Sequence, residues 1–216
     1  MMYNGFHYPK GEEQVAMDIE REWENKHELV RQLTGGKGTV VQAGANCGYF
    51  PIKLAESFDR VISFEPIPEI HKLAKKNIKK HKAKGVELYN MGLGAEAGTA
   101  SVTFTEEGNS GATGMSNDED GTIDLISIDN FYLDDCSLIW LDIEGMEAEA
   151  LRGAVNTIKR CKPIIILENK GLIPGFSRLQ FRPLGDSNFR RWVEWEFKYQ
   201  RIERIMRDDI FAPRVL

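Results

Sequence analysis

Cysteines and long apolar runs are both scarce in this sequence of 216 residues. There are only three cysteines, Cys47, Cys136 and Cys161, and their spacing matches no metal-binding motif. An odd number of cysteines without motif spacing excludes a disulfide framework and indicates a reducing compartment. The longest purely apolar runs, such as "IIIL", are far too short to span a bilayer.

Positive charge is also in short supply. Lys and Arg total 28 against 33 Asp and Glu, which gives a net charge of −5. This balance excludes a general affinity for nucleic acids or anionic membranes, and we expect neither as a partner. The opening "MMYNGFHYPKGEE" has no apolar core followed by a cleavage site, so no signal peptide is predicted and the expected location is the cytoplasm. No feature predicts a particular oligomeric state.

The residues that are present are typical of one globular domain. The chain is 42% hydrophobic and 28% charged, and it is long enough to bury a core without disulfides or metals. It shows neither an internal repeat nor a long linker. We therefore expect residues 1–216 to form a single domain.

Apolar strands alternate with amphipathic helices along most of the chain. The first thirty-odd residues predict a helix, since Val15, Ile19 and Trp23 recur every four positions. Strands are then predicted at 39–43, 60–65, 86–91, 137–143 and 162–168, and helices at 47–57, 68–83 and 146–159. This alternation indicates a parallel sheet covered on both faces. Near the end, "NFRRWVEWEF" predicts a helix, and "YQRIERI" and "IFAP" predict an antiparallel pair.

The regular alternation is interrupted in the middle of the chain. "GTASVTFTE" is typical of a partly exposed strand, and residues 122–128 predict another. The stretch between them is polar and rich in glycine, so a long loop is predicted over residues 106–121.

The stretch "VVQAGANCGYF", residues 40–50, joins a buried-type strand to a helix through a turn of small residues. In an open α/β sheet, ligands bind beyond the carboxyl ends of the strands, which is where Gly44 stands. Glu65 ends the next strand, 65 − 44 = 21 residues later. A carboxylate at that place can accept both hydroxyls of a ribose.

The same loop argues against a dinucleotide. A pyrophosphate requires G-x-G-x-x-G, whereas Asn46 stands where the second glycine should be, and Tyr49 and Phe50 crowd the start of the helix. A ligand that fits without a pyrophosphate is an adenosine with a methionine-type tail.

Five motifs resemble the FkbM family of S-adenosylmethionine-dependent methyltransferases. They are "VVQAGANCGYF", "VISFEPIPE", "LYNMGLG", "LIWLDIEGMEAEALRGA" and "KPIIILE", and together they cover roughly residues 38–169. The resemblance extends more loosely to "YQRIERIMRDDIFAP". It implies the class I methyltransferase fold, a Rossmann-like α/β fold with a seven-stranded, mostly parallel sheet, helices on both faces and an antiparallel C-terminal hairpin. The implied parts are an N-terminal helical extension (1–36), a cofactor-binding core (38–169) and a C-terminal helix and hairpin (170–216).

The resemblance also implies which residues bind S-adenosylmethionine. They are Gly44, Ala45, Asn46, Gly48, Tyr49 and Phe50 in the loop, Glu65 and Pro66 at the ribose, Asn90, Met91 and Gly92 beside the adenine, and Asp142. With Glu144 and Gly145, Asp142 forms the wall between cofactor and acceptor. The family usually has Asp where this chain has Gln42. Because Gln keeps a carbonyl acceptor but removes the charge, we expect Gln42 to contribute to a weaker cofactor site.

The reaction implied is O-methylation of a small-molecule or carbohydrate hydroxyl. Such a transfer needs acceptor, methyl and sulfur in line, and the hydroxyl must lose its proton. Asp142, at a strand end, is the candidate for positioning or proton removal, and Glu144 either supports it or merely caps the helix that follows. Asp129 is a further candidate facing the acceptor, with a plain Asp turn as the alternative. The loop over 106–121 is expected to cover the acceptor pocket, with a flexible surface excursion as the alternative.

Three alternatives remain open from the sequence. Asp142, Glu168 and Asn169 end neighbouring strands and could hold Mg²⁺ in a metal-assisted O-methyltransferase, although the resemblance implies no metal. The second alternative is a module that binds the cofactor without turnover, and Gln42 is the only residue that suggests it. A nicotinamide-dependent oxidoreductase is the third, and the missing G-x-G-x-x-G argues against it.

Overall fold

The computed structural model describes residues 1–106, 108–168 and 186–214. Its strands are β1 (Met2–Tyr3), β2 (Phe6–His7), β3 (Thr39–Ala43), β4 (Arg60–Phe64), β5 (Val86–Tyr89), β6 (Gly92–Leu93), β7 (Gly98–Glu106), β8 (Asn109–Asn117), β9 (Ile123–Ile126), β10 (Cys136–Leu141), β11 (Ile164–Glu168), β12 (Tyr199–Ile205) and β13 (Asp208–Pro213). Its helices are α1 (Glu13–Thr34), α2 (Tyr49–Leu54), α3 (Pro68–His81), α4 (Glu147–Arg152), α5 (Val155–Cys161) and α6 (Asp186–Glu196), with a short 3₁₀ helix at Ile128–Phe131.

A seven-stranded mixed sheet forms the centre, in the order β12-β13-β11-β10-β3-β4-β5. The pairings from β5 to β11 are parallel, whereas β13 is antiparallel to both β11 and β12. The prediction of an α/β fold with seven strands and helices is confirmed. The chain runs outward from β3 to β5 and then returns to β10, beside β3. The strand order therefore reverses between β3 and β10, which is where open α/β sheets bind ligands.

The apolar character of the central strands follows from burial on both faces. In β3 all five residues are buried. Val41 faces a core formed with α4, α5 and α6, and Val40 faces a second core formed with α1 and α2. Strands covered on both sides have no polar face, so their sequences are continuous apolar runs instead of alternating ones.

Helix α1 packs its apolar stripe on the second core and ends at Gly35, whose φ of 72° is the left-handed conformation that ends many helices. Its buried residues are Ala16, Lys26 and Val30. A lysine that is buried beside apolar residues needs a charged partner, so α1 brings an ionic contact into the apolar interface. None of the described helices combines the length and the hydropathy of a bilayer-spanning segment.

Two predictions about the middle of the chain are wrong. Residues 106–121 were expected to be a loop, but β8 occupies 109–117 and pairs antiparallel with β7 in a separate four-stranded sheet. The helix expected at 146–159 is divided into α4 and α5. Gly153 lies at the break, and a Cβ there would be 2.2 Å from the carbonyl oxygen of Gly94, so the chain approaches another backbone too closely for any side chain.

Candidate functional site

The turn after β3 is compressed against the end of β10. Gly44 has a φ of 84°, and a Cβ on it would lie 2.0 Å from the carbonyl oxygen of Asp142. Only glycine fits this close approach and this left-handed conformation. The N–H groups of Gly44 and Ala45 both donate to the carbonyl of Phe64, at 3.1 and 2.9 Å, which fixes the turn to the end of β4.

The second half of the turn prepares the start of α2. Asn46 is also left-handed, with a φ of 48°. A Cβ on Gly48 would lie 3.2 Å from the Cα of Ala74, so Gly48 allows α2 to pack against α3. The side-chain Oδ1 of Asn46 is buried and has no hydrogen-bond partner within the described part of the chain. A buried acceptor without a donor is costly unless a ligand supplies one.

Glu65 follows β4 and lies 6% exposed beside the turn. Its carboxylate accepts two backbone hydrogen bonds, from the N–H of Asn46 at 2.8 Å and from the N–H of Ile67 at 3.0 Å. Burial raises the pKa of Glu65 to about 7, and the two N–H donors oppose this rise. Glu65 is thus held in one position, and its ionisation falls in the physiological pH range.

The turn after β10 is tied down by Glu147. This carboxylate accepts hydrogen bonds from the N–H of Ile143 at 3.1 Å and from the N–H of Gly145 at 3.0 Å. Burial raises the pKa of Glu147 to about 7. Glu144 lies within this turn in the left-handed conformation, with a φ of 53°. The acid that fixes the turn before α4 is therefore Glu147, which the sequence did not single out, and Glu144 lines both cavities.

Asp142 lies among other carboxylates. It shares a hydrogen bond with Glu168 at the end of β11, and Glu22 and Asp208 add further negative charge nearby. Removal from water, followed by the charge of Glu168, raises the pKa of Asp142 well above its ordinary value. Two carboxyl groups in hydrogen-bonding contact hold a proton between them, which makes Asp142 a stronger base than an exposed Asp.

Two adjoining cavities lie over these strand ends. The first, of about 80 Å³, is bounded by the turn after β3, by Glu65 and by Thr113 and Met115 of β8. The second, of about 310 Å³, lies toward the turn between β12 and β13. Five residues line both cavities: Ile19, Glu22, Asn46, Asp142 and Glu144. The first cavity is smaller than an ordinary small-molecule site.

Most of the predicted site residues converge on these cavities. Those in the lining are Gly44, Ala45, Asn46, Tyr49, Phe50, Glu65, Pro66, Asp142 and Glu144. Five predicted residues, all within the described part of the chain, line neither cavity: Gln42, Gly48, Asn90, Met91 and Gly92. Asn90 instead donates to the carbonyls of Glu65 and Pro66, both at 2.9 Å, and so braces the turn after β4. Met91 packs against the core, and Gly92 pairs with Leu125 in the second sheet.

Gln42 has a structural part in the turn. It is 2% exposed, and its Nε2 donates to the carbonyl of Gly44 at 3.0 Å. Its Oε1 accepts the hydroxyl hydrogen of Ser63 on β4. An aspartate is shorter and has no N–H, so it could not hold the Gly44 carbonyl in this way.

Asp129 is not at the cavity, and the expectation that it faces an acceptor is wrong. Its Oδ1 accepts from the N–H and the hydroxyl of Thr157, both at 2.8 Å, and its Oδ2 accepts from the N–H of Asn156 at 2.9 Å. These are the first donors of α5, which have no partner inside the helix. Asp129 therefore stabilises the start of α5.

The structure adds two parts that the sequence did not indicate. Ile19 and Glu22 of α1 line both cavities, and Arg207, in the turn before β13, lines the second. Thr113 and Met115 of β8 line the first cavity and belong to residues 106–121, the segment that was expected to cover the acceptor pocket. The amphipathic pattern of α1 could have suggested a buried face, but not the strand ends that this face covers.

The acidic side chains at this edge also form a cluster suited to a cation. Asp142, Glu144 and Glu168 each offer a carboxylate oxygen, and these atoms lie within 4.8 Å of one another. Asn169, the fourth ligand considered from the sequence, lies outside the described residues.

Comparison with known proteins assigns the family. The model of the methyltransferase FkbM domain matches residues 42–208, which include every element from the turn after β3 to the start of β13. The chain belongs to the FkbM methyltransferase family. Residues 1–41, which contain α1, precede the matched range. No curated protein sequence is significantly similar to this FkbM-family chain.

Solved structures agree with the fold. The chain is similar to methyltransferase FkbM from Methylobacillus flagellatus KT, with a TM-score of 0.57 and 18% identity over 82% of this chain and 44% of that one. It therefore spans less than half the length of that protein. It is also similar to a SAM-dependent methyltransferase from Aquifex aeolicus (TM-score 0.51, 13% identity, 94% and 97% covered) and to an rRNA methylase from Streptococcus thermophilus (0.50, 9%, 87% and 94%). At these identities the likeness shows the methyltransferase fold.

Proposed function

We propose that this FkbM-family protein is an S-adenosylmethionine-dependent methyltransferase that acts on a hydroxyl of a small molecule or carbohydrate. The observation that carries the proposal is the convergence of Glu65, the turn at Gly44–Asn46 and Asp142 on two adjoining cavities. Glu65 and Asp142 border the same first cavity from different strand ends, so a ligand in it contacts both.

The residues of the first cavity fit the cofactor. The buried carboxylate of Glu65 can accept the hydroxyls of a ribose, and the buried Oδ1 of Asn46 needs a donor that the described protein does not supply. Tyr49 and Phe50 add apolar surface beside the turn. When bound, S-adenosylmethionine supplies a methyl group on a positively charged sulfur. The protein supplies the binding surface.

Asp142 is the candidate base on the acceptor side. Removal from water and the charge of Glu168 raise its pKa, so its ionised form accepts a proton more readily than an exposed aspartate does. An acceptor hydroxyl that donates a hydrogen bond to Asp142 would have its oxygen oriented toward the first cavity. Glu144 lines both cavities and supports the same acceptor.

The charge of the cavities favours a small acceptor over a nucleic acid. Glu22, Asp142, Glu144 and Glu168 all border the second cavity, and the whole chain carries a net charge of −5. A polyanion would be repelled from such a surface. Fold similarity to an rRNA methylase at 9% identity does not outweigh this charge.

The proposal is tested in two steps. Calorimetry with S-adenosylhomocysteine, the product form of the cofactor, should give binding, whereas NAD⁺ should give none. Transfer of a labelled methyl group is then measured with a panel of neutral sugars, polyols, phenols and a short RNA. Cofactor binding without transfer to any acceptor would favour a binding module, and binding of NAD⁺ alone would overturn the proposal.

A metal-assisted O-methyltransferase is the second candidate, because Asp142, Glu144 and Glu168 can bring three carboxylate oxygens to one cation. A divalent ion there would hold an acceptor with paired oxygens and lower the pKa of its hydroxyl. Assays after treatment with EDTA, with and without added Mg²⁺, distinguish the two. Methyl transfer that is unchanged in EDTA would exclude a role for a metal. Transfer that is lost in EDTA and restored by Mg²⁺ would establish that role.

A further inference from the structure

The inner face of α1 closes the site from a part of the chain that the family match does not cover. Ile19 and Glu22 line both cavities, and Asp18, Arg21 and Lys26 line the second. All five precede residue 42, where the matched domain begins. These side chains therefore belong to a part of the chain that lies outside the matched domain.

Glu22 is held firmly in the cavity wall. The Nζ of Lys26 lies 2.6 Å from Oε1 of Glu22 and also binds Asp208 at the start of β13. Lys26 is 1% exposed, and its Nζ lies 5.5 Å from the ring centre of Trp140 on β10. Trp23, the next residue after Glu22, stacks on Trp140 at 6.4 Å. Lys26 therefore binds Glu22 and Asp208 at once and fixes the position of the Glu22 carboxylate.

Glu22 brings to both cavities a carboxylate that β3, with Gln42 at this position, does not supply. The side chain of Gln42 is neutral, and both ends of its amide are used by Ser63 and Gly44. The carboxylate of Glu65 is already bound to the N–H groups of Asn46 and Ile67.

We propose that Glu22 binds the α-ammonium group of the methionine tail of the cofactor. This inference rests on the proposed function, since it requires S-adenosylmethionine in the first cavity. An ammonium group carries three donors on a compact charge, and Lys26 already shows that Glu22 binds such a group here. Among the described residues, the hydrogen bond from Lys26 goes to Oε1, and we assign Oε2 to the ammonium of the ligand.

The test uses two ligands that differ only at the tail. S-adenosylhomocysteine has the ammonium group, and 5′-methylthioadenosine keeps the adenosine and sulfur but lacks the amino-acid part. Calorimetry on Glu22→Gln should show S-adenosylhomocysteine bound about tenfold to a hundredfold more weakly, the range of a charge-assisted hydrogen bond, with 5′-methylthioadenosine unchanged within about twofold. Glu24→Gln, an exposed position on the same helix, is the matched control and should change neither affinity.

The other possible results contradict either the role of Glu22 or the proposed function. If Glu22→Gln weakens both ligands equally, the residue acts only through the packing of α1 and the inference is wrong. It is also wrong if Glu22→Gln leaves S-adenosylhomocysteine binding unchanged, or if Glu144→Gln alone produces the selective loss. If the unsubstituted protein binds neither ligand, the proposed function itself fails.

Discussion

Glu65 offers the sharpest quantitative prediction, because its pKa and its ligand are linked. Burial raises the pKa of Glu65 from 4.5 to about 7. The folded protein without ligand therefore favours the neutral form, and the stability that this carboxyl contributes below pH 4.5 is lost as pH rises through 7. Two ribose hydroxyls instead favour the carboxylate. Ligand affinity should consequently rise over the pH range in which free-protein stability falls.

The size of the effect follows from the ionised fraction. With a pKa near 7, the fraction of Glu65 that is ionised is about a tenth at pH 6 and about nine tenths at pH 8. If only the carboxylate binds the ribose, the affinity for 5′-methylthioadenosine should rise by about tenfold between these two pH values. This ligand is chosen because it lacks the tail that reaches toward Asp142 and Glu22.

The assay is calorimetric titration at half-unit steps from pH 6 to pH 8, with the unsubstituted protein and with Glu65→Gln. The variant should bind about tenfold to a hundredfold more weakly at pH 8, since it loses charge-assisted hydrogen bonds worth about 1.5–3 kcal/mol, and its affinity should not change with pH. Asn90→Ala tests the support of the same turn and should retain the slope. A pH-independent affinity in the unsubstituted protein, or the same affinity in Glu65→Gln at pH 8, would refute the ribose assignment.

Three further predictions concern the strand ends and α1. Asp142→Asn should bind S-adenosylhomocysteine within a few-fold of normal but slow single-turnover transfer by about a hundredfold or more; full transfer would remove Asp142 as the base. Gly44→Ala should lower the free energy of unfolding by about 2–5 kcal/mol in urea melts, because its Cβ meets the Asp142 carbonyl, whereas Gly98→Ala, with open space around it, should change little. Lys26→Met leaves Asp208 buried without its cation and should lower the free energy of unfolding by about 3 kcal/mol. Lys72→Met, on the surface, is the control and should lower it by less than about 0.5 kcal/mol. Equal losses in the two variants would contradict the buried ion pair.

Much of the sheet could be predicted from the sequence because burial on both faces leaves a simple pattern. β3, β10 and β11 are continuous apolar runs, and each begins and ends within two residues of its predicted bounds. The turn at Gly44 was equally readable, since no other residue type tolerates both its conformation and the contact with Asp142. These features depend on local chemistry, which a single sequence carries.

The features that escaped prediction depend on contacts between distant parts of the chain. β8 has the sequence "NSGATGMSN", which lacks an apolar alternation, and it becomes a strand because β7 supplies its hydrogen bonds. Asp129 has the same local pattern as a turn aspartate, and only the position of α5 shows that it binds the N–H groups of Asn156 and Thr157. Glu22 lies on a helix whose spacing predicts a buried face without indicating what that face covers.

Gln42 shows how one residue can change its meaning once its partners are known. Considered in the sequence alone, it is a lost charge in the cofactor turn, and it predicts weaker binding. In the structure it holds the Gly44 carbonyl through an N–H that an aspartate does not have, so replacing it with Asp would free that carbonyl and add a buried charge beside Ser63. We propose that the carboxylate for the cationic tail is instead that of Glu22, which is anchored through Lys26 to the C-terminal hairpin. Cofactor affinity in this chain is therefore expected to depend on the docking of α1 as well as on the turn that Gln42 holds.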